Sequence, residues 1–200
     1  SQSQYLNAEE ENQSHRGNCT SIMVGRLATT DGSVITSHTC DGPYRTWLEV
    51  SPHAKYEKGA IHSVYSGMLR PRETSWDMRN VTKTGEIPEV VETYAFLNTA
   101  YPCLNEKQLA IGETTIVGRM ELRNKDGIFY IEELEKIALQ RCRTAREAIA
   151  LIGRLAEEYG YADYAECITI ADPKEVWQLE ISGSGKGKPS AIWCAARIPD

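Results

Sequence analysis

The order of elements along this chain predicts a layered α+β fold. Three observations lead there. β-prone segments fill the first part, two helical segments follow between 131 and 160, and three further strands close the sequence. Strands and helices grouped in this way favour sheets with helices segregated to one side over strict βαβ alternation. A chain of 200 residues, 41% hydrophobic and 25% charged, can bury one substantial globular core.

Residues 1–18 (SQSQYLNAEEENQSHRGN) are polar, carry the acidic run Glu9-Glu10-Glu11 and read as a disordered leader or propeptide. The character changes at Cys19. CTSIMVGRLA is apolar and β-prone, TTDGS is a turn cluster on Asp31-Gly32, and SVITSHT is a second strand, together a β-hairpin. Ile22, Met23 and Val24 run without alternation, as do Val34 and Ile35, which predicts strands covered on both faces.

Residues 41–90 read as loop-rich, with Pro43, Pro52, Pro71 and Pro88 as breakers. Strands are expected at 94–98 and 108–117 around a Pro102 turn. A helix is expected at 131–141, with Ile131, Leu134, Ile137 and Ala138 on one face. Thr144 and Glu147 have capping-box spacing and start a second helix. Ala148, Ile149, Ile152 and Leu155 carry its apolar face, and Gly160 ends it. Strands at 166–171, 175–181 and 191–196 finish the chain, with Asp172-Pro173 and SGSGKGKP as turns. No internal repeat is visible. Because the sequence stops at Ile198-Pro199-Asp200 just after a strand, 19–200 is expected to be the N-terminal part of a longer domain.

A formal net charge of −6 argues against nucleic-acid binding, which normally needs a basic patch. No apolar run approaches the roughly 20 residues of a membrane helix. No signal peptide is visible, but one outside this sequence would leave the same picture, so the cytoplasm and a secreted or periplasmic location both stay open. None of the six cysteines forms a C-x-x-C pair, so zinc has no local support and most read as small core residues. The 183–188 stretch (GSGKGK) lacks phosphate-loop spacing and is followed by Pro189, which suits a hairpin loop. The sequons at Asn12, Asn18 and Asn80 are short, common patterns without a secretory context.

Cys19 is the sharpest chemical feature, placed where the leader meets the first core strand. One cleavage between Asn18 and Cys19 would make it the first residue. Its α-amine, with a pKa near 7.7–8.0, could then serve as general base beside an intrinsically nucleophilic thiol.

Several motifs support that reading together. Residues 18–25 (NCTSIMVG), 30–35 (TDGSVI) and Asp41-Gly42 resemble the start of the dipeptidase A family of cysteine peptidases. That family lies in the N-terminal-nucleophile hydrolase superfamily and is related to penicillin V and bile-salt acylases. The resemblance continues through 94–97 (YAFL), Asn105-Glu106, 110–115 (AIGETT), Asp126-Gly127 and 167–177 (CITIADPKEVW). It implies a four-layer αββα sandwich, self-cleavage before Cys19, thiol attack on a peptide carbonyl, and no metal or organic cofactor.

The resemblance also assigns roles. Asp41 matches the aspartate near the nucleophile's amine, where a carboxylate tunes its pKa. His38, in His38-Thr39-Cys40-Asp41, stands where the acylases have arginine in Arg-x-x-Asp; histidine can bind a carboxylate or move a proton but is not always charged. Asn105 matches an oxyanion-hole asparagine. Glu106 and Glu113 are candidates to hold a substrate's free amino group. The expected substrate is a dipeptide or short peptide, with no membrane or nucleic-acid partner and homo-oligomerisation left open. Two alternatives remain at this stage: an acylase of other linear amides on the same fold, and an inactive truncated binding or structural module, because the family uses further residues downstream.

Overall fold

A computed structural model describes residues 19–40, 47–67 and 81–200; the leader read at 1–18 lies outside them. In chain order the strands are β1 (Thr20–Val24), β2 (Ile35–Thr39), β3 (Glu49–Ser51), β4 (Ala54–Lys55), β5 (Ile61–Ser66), β6 (Thr82–Pro88), β7 (Glu92–Thr93), β8 (Phe96–Asn98), β9 (Pro102–Asn105), β10 (Ala110–Val117), β11 (Ala165–Ala171), β12 (Val176–Gly183) and β13 (Ala191–Arg197). Two α-helices, α1 (Ile131–Arg141) and α2 (Ala145–Tyr159), lie between β10 and β11. The architecture is mixed, mostly sheet, as an α+β reading requires.

Seven strands form the main sheet in the order β13-β12-β11-β10-β9-β8-β3. Their pairing is antiparallel throughout. Side chains alternate between the faces of such a sheet. On one face Ile111, Ile168, Ile170, Leu179 and Ile181 are buried with Leu134 and Ile137 of α1 and Ile152 and Leu155 of α2. Gly112, Thr114 and Thr169 alternate onto the other face. There the antiparallel β1–β2 hairpin lies against the sheet, with the Ser21 and Thr114 hydroxyls 2.5 Å apart and Thr36 donating to Thr169 at 2.8 Å. The described residues thus form three layers: helices, main sheet, hairpin.

The hairpin corrects one expectation. Its inner face is covered, but Ile22 remains 56% and Ile35 44% exposed on the outer face. Its connection is also more structured than a simple turn. A 3₁₀ segment at Arg26–Ala28 intervenes, and the Leu27 N–H donates to the Asp200 carbonyl at 3.2 Å. The stretch read as loop-rich contains the β5–β6 ribbon and the short strands β3 and β4, while Pro102, read as a turn, begins β9. The 183–188 stretch is a hairpin loop joining antiparallel β12 and β13.

The second helix starts as its sequence predicts, with the Glu147 N–H donating to Thr144 Oγ1 at 3.2 Å. Glu147 reaches back to the Arg143 N–H, one residue before the cap, at 2.7 Å. Gly160 ends the helix at φ 87°, a value that favours glycine.

The first helix differs from a simple amphipathic one. Its apolar stripe is buried, but so are Glu132, Glu133 and Glu135. The β5–β6 ribbon packs on the side that would otherwise face water. His62 of β5 places its Nε2 2.8 Å from Glu133 and its Nδ1 2.9 Å from Glu89, and Arg141 pairs with Glu89 at 2.9 Å. Glu135 is fully buried with neither carboxyl oxygen hydrogen-bonded among the described residues.

Burial, reinforced by neighbouring carboxylates, raises Glu132 to about 8 and holds Glu135 and Glu166 well above the ordinary carboxyl value of 4.5. Burial alone would also raise Glu89, but the Val90 N–H, His62 and Arg141 outweigh it and bring it down. Arg146 and Trp177 draw Glu175 down to about 2.

Between 4.5 and the raised values the folded chain binds more protons than the unfolded chain, so stability falls as pH rises through that window. The lowered groups stabilise above 4.5, and for Glu175 that contribution is lost as pH falls towards about 2. Thermal unfolding should therefore show a maximum near pH 5. From there the stability should decline towards pH 8 at up to ~1.4 kcal/mol per pH unit for each retained proton. Glu132→Gln should flatten that decline. A melting temperature that rises from pH 5 to 8 would show that these carboxyls do not keep their protons.

Candidate functional site

The hairpin builds the candidate site. Thr20 and Thr39 are paired across β1 and β2, so Cys19 and Cys40 sit side by side at the next position along the two strands. Both are half-buried and free thiols. The β2 strand runs across the main sheet, with Thr36 meeting Thr169 of β11 and His38 lying against Gly112 of β10. Cys40 then reaches Glu113, its Sγ 3.9 Å from Oε1. The sulfurs of Cys19 and Cys40 and a carboxyl oxygen of Glu113 all lie within 4.8 Å of one another.

Glu113 is 0% exposed. Burial raises its carboxyl above the ordinary value. Burial, followed by the nearby Glu113 and Cys19, pushes the Cys40 thiol far up. Adding negative charge here is therefore costly unless a cation or proton accompanies it.

His38 is opposite Ser21 on the hairpin and its ring fills the space above Gly112. A β-carbon at Gly112 would collide with the imidazole, so the close approach of hairpin and sheet requires glycine. Burial lowers the His38 pKa, which favours a neutral ring. That ring lines a cavity of about 600 Å³ together with Val34, Thr36, Leu104, Ile111 and Pro173. Cys19 is not part of the cavity wall.

The remaining predicted residues among those described, Asn105 and Glu106, lie away from the two thiols. Asp41 lies outside the described residues. Asn105 is buried, and its amide acts as a tether. Nδ2 donates to the Leu139 and Cys142 carbonyls at 2.8 and 2.9 Å, while Oδ1 accepts from the Lys107 and Leu109 N–H groups at 3.0 Å each. Both amide hydrogens are thus committed to the end of α1. Glu106 is exposed and accepts from the Ala95 N–H at 3.1 Å, with His53 Nδ1 2.6 Å away. Hydrogen bonds from His53 and Ala95 lower its pKa.

Sequence reasoning missed Cys40 and Gly112. Cys40 reads from sequence as a small core residue without C-x-x-C spacing, whereas hairpin pairing relates positions far apart in sequence. The signal was available in the turn between two strands that begin and end on cysteine.

A family model described as Peptidase family C69 matches residues 18–200. The chain is also similar to a probable dipeptidase of Latilactobacillus sakei, 26% identical over 91% of this chain and 37% of that protein. It is 27% identical to a probable dipeptidase B of Lactococcus lactis subsp. lactis (strain IL1403), over 92% of this chain and 38% of that protein. A dipeptidase of Bifidobacterium longum (strain NCC 2705) is 24% identical over 91% of this chain and 35% of its own length. The chain therefore spans little more than a third of these relatives.

Two substitutions probe the geometry. Gly112→Ala should cost about 1–3 kcal/mol of stability through overpacking against His38, measured by denaturant unfolding. Unchanged stability would mean that the hairpin does not sit this close. Asn105→Ala should cost about 3–5 kcal/mol, because it strands buried donors and acceptors at once. Unchanged stability with a fall of about 10²–10³ in peptide hydrolysis would instead identify Asn105 as an oxyanion donor.

Proposed function

The chain belongs to peptidase family C69, and on that premise we propose that it is the nucleophile-bearing part of a cysteine dipeptidase. The observation that carries this reading is the placement of Cys19. It is a half-buried thiol at the head of a hairpin seated on the main sheet, beside a fully buried carboxyl. The family match begins at residue 18, immediately before it.

The proposed sequence starts with cleavage of the Asn18–Cys19 bond, which frees the Cys19 amine. The neutral amine takes the thiol proton as sulfur attacks the carbonyl carbon of a dipeptide. The tetrahedral intermediate collapses to a thioester as that proton passes to the leaving amine. Water, deprotonated by the same α-amine, then attacks the thioester and restores the thiol. The thiol and α-amine of one residue thus carry the proposed chemistry, which calls on no metal or organic cofactor.

Asp41 is assigned to tuning the freed amine. Glu113, behind the two thiols, supplies a buried carboxyl for a nearby ammonium group; its burial suits the Cys19 amine better than an entering substrate. Glu106 is the exposed carboxyl available to a substrate ammonium once released from His53. His38, neutral and facing the cavity, is a hydrogen-bond partner for the substrate. The open outer face of the hairpin, with Ile22 and Ile35, supports a four-layer αββα sandwich in which further chain covers this face.

The test compares the intact mass, N-terminal sequence and dipeptide hydrolysis of the full-length protein with those of Cys19→Ala. The wild type should begin at Cys19 and release free amino acids. The variant should keep its leader and lose activity by about 10³-fold or more. If both chains keep residues 1–18 and the wild type still cleaves dipeptides, the terminal-amine mechanism is wrong.

A further inference from the structure

We infer that Cys19, Cys40 and Glu113 form a binding site for a thiophilic divalent cation, zinc above all, and that its occupancy holds the Cys19 sulfur out of hydrolysis. The binding site stands on geometry alone; its inhibitory consequence rests on the reading of Cys19 as nucleophile.

Two sulfurs and a carboxylate oxygen are a standard zinc donor set, with Zn–S near 2.3 Å and Zn–O near 2.0–2.2 Å. Around a tetrahedral ion those lengths place neighbouring donors about 3.5–3.8 Å apart. Cys40 Sγ and Glu113 Oε1 are 3.9 Å apart, and all three donors lie within 4.8 Å. Closing the triangle onto an ion therefore takes shifts of about 1 Å or less. The donors come from the two ends of a paired hairpin and from a strand in the middle of the main sheet, so the backbone holds the set together.

A second observation points to a cation independently. Glu113 is fully buried, and its Oε2 meets no donor at full hydrogen-bond geometry among the described residues, while Tyr101, Thr115 and Glu166 surround the carboxyl. A buried carboxyl oxygen in that state is relieved by a water, by a proton shared with Glu166 or by a cation, and the two facing thiols make a soft cation the occupant that engages all three donors. Three protein ligands leave one tetrahedral position open. A freed Cys19 amine lies on the same residue as one ligand and could supply a nitrogen there. Binding would replace the Cys19 and Cys40 thiol protons, releasing them to solvent, while the sulfur lone pair needed for attack becomes a bond to the metal.

The experiment titrates cobalt(II), then zinc, into the full-length protein in a non-thiol reductant. One equivalent of cobalt should give thiolate-to-metal charge-transfer absorption and the visible bands of a tetrahedral ion, and zinc should displace it. Cys40→Ser should bind at least about ten-fold more weakly with the charge-transfer intensity reduced by about half. Glu113→Gln should bind at least about ten-fold more weakly with that intensity retained. Cys194→Ser, changing an exposed thiol elsewhere, should leave the titration unaltered. Should Cys40→Ser fail to fold, Cys19→Ser serves in its place.

Absence of saturable binding, or equal binding by wild type and both ligand variants, overturns the site. Zinc should also abolish dipeptide hydrolysis, with a chelator restoring it. Hydrolysis that continues at zinc saturation overturns the inhibitory role. If no dipeptide is cleaved under any condition, the functional reading falls, while the cobalt spectrum still decides the metal site.

Discussion

The close packing of the β1–β2 hairpin across the main sheet is the constraint on which the candidate site depends. Two hydroxyl contacts, Ser21 with Thr114 and Thr36 with Thr169, fix where the hairpin lies. Gly112 permits the approach, because His38 occupies the space a β-carbon would need. With the register set, Cys19 and Cys40 have only one place to go, the edge where Glu113 is buried. A site built this way belongs to the sheet stacking rather than to a mobile loop. Its geometry is as rigid as the interface that makes it, which suits chemistry that tolerates little misplacement.

The same structure carries an unusual load of buried acid. Glu113, Glu132, Glu135 and Glu166 all lie in or beside the core, where ionised carboxylates are normally excluded. The chain manages this in two ways. Glu133 and Glu89 are matched by Lys136, His62 and Arg141, which binds the β5–β6 ribbon to α1. Burial instead raises the pKa of Glu132, Glu135 and Glu166, which favours their neutral forms. Neutral carboxyls inside a sheet–helix interface cost less than charged ones, but they make the fold sensitive to alkali. Glu113 is the member of this group that meets the thiols, so the electrostatics of the core extend directly into the candidate site.

Local signals were legible in the sequence, and long-range ones were not. The helix at 131–141 and the Thr144 cap follow from periodicity and from a side chain that satisfies an exposed N–H, both properties of a few neighbouring residues. The last three strands emerge for the same reason. The β5–β6 ribbon did not, because a Gly85 and a terminal Pro88 obscure its alternation. Nor did the burial of Glu132, Glu133 and Glu135, since that depends on a ribbon arriving from far away in sequence. In the site, Cys19 was visible as a boundary residue, and Glu113 through its motif. Asn105 is a residue type suited both to an oxyanion hole and to joining a turn to a helix end; its four hydrogen bonds serve the second purpose, and no local signal in the sequence distinguishes the two.

Cys40 shows how a neighbour alters what a nucleophile can do. A lone thiol at the head of β1 would differ from this one mainly in what could compete for it. With a second sulfur opposite and a buried carboxyl behind, Cys19 has two neighbours that can join it in holding a soft cation, which a lone thiol would lack. The two outcomes are separable in principle by charge. Attack on a carbonyl requires one thiolate for a moment, whereas a metal requires two anionic sulfurs and a carboxylate for as long as it stays. Burial opposes the second state more strongly than the first, so the site excludes ions that bind thiolate weakly and admits those, such as zinc, whose bonds to sulfur offset the loss of hydration. Selectivity at this position would then come from the low polarity of the surrounding core, not from the donors alone.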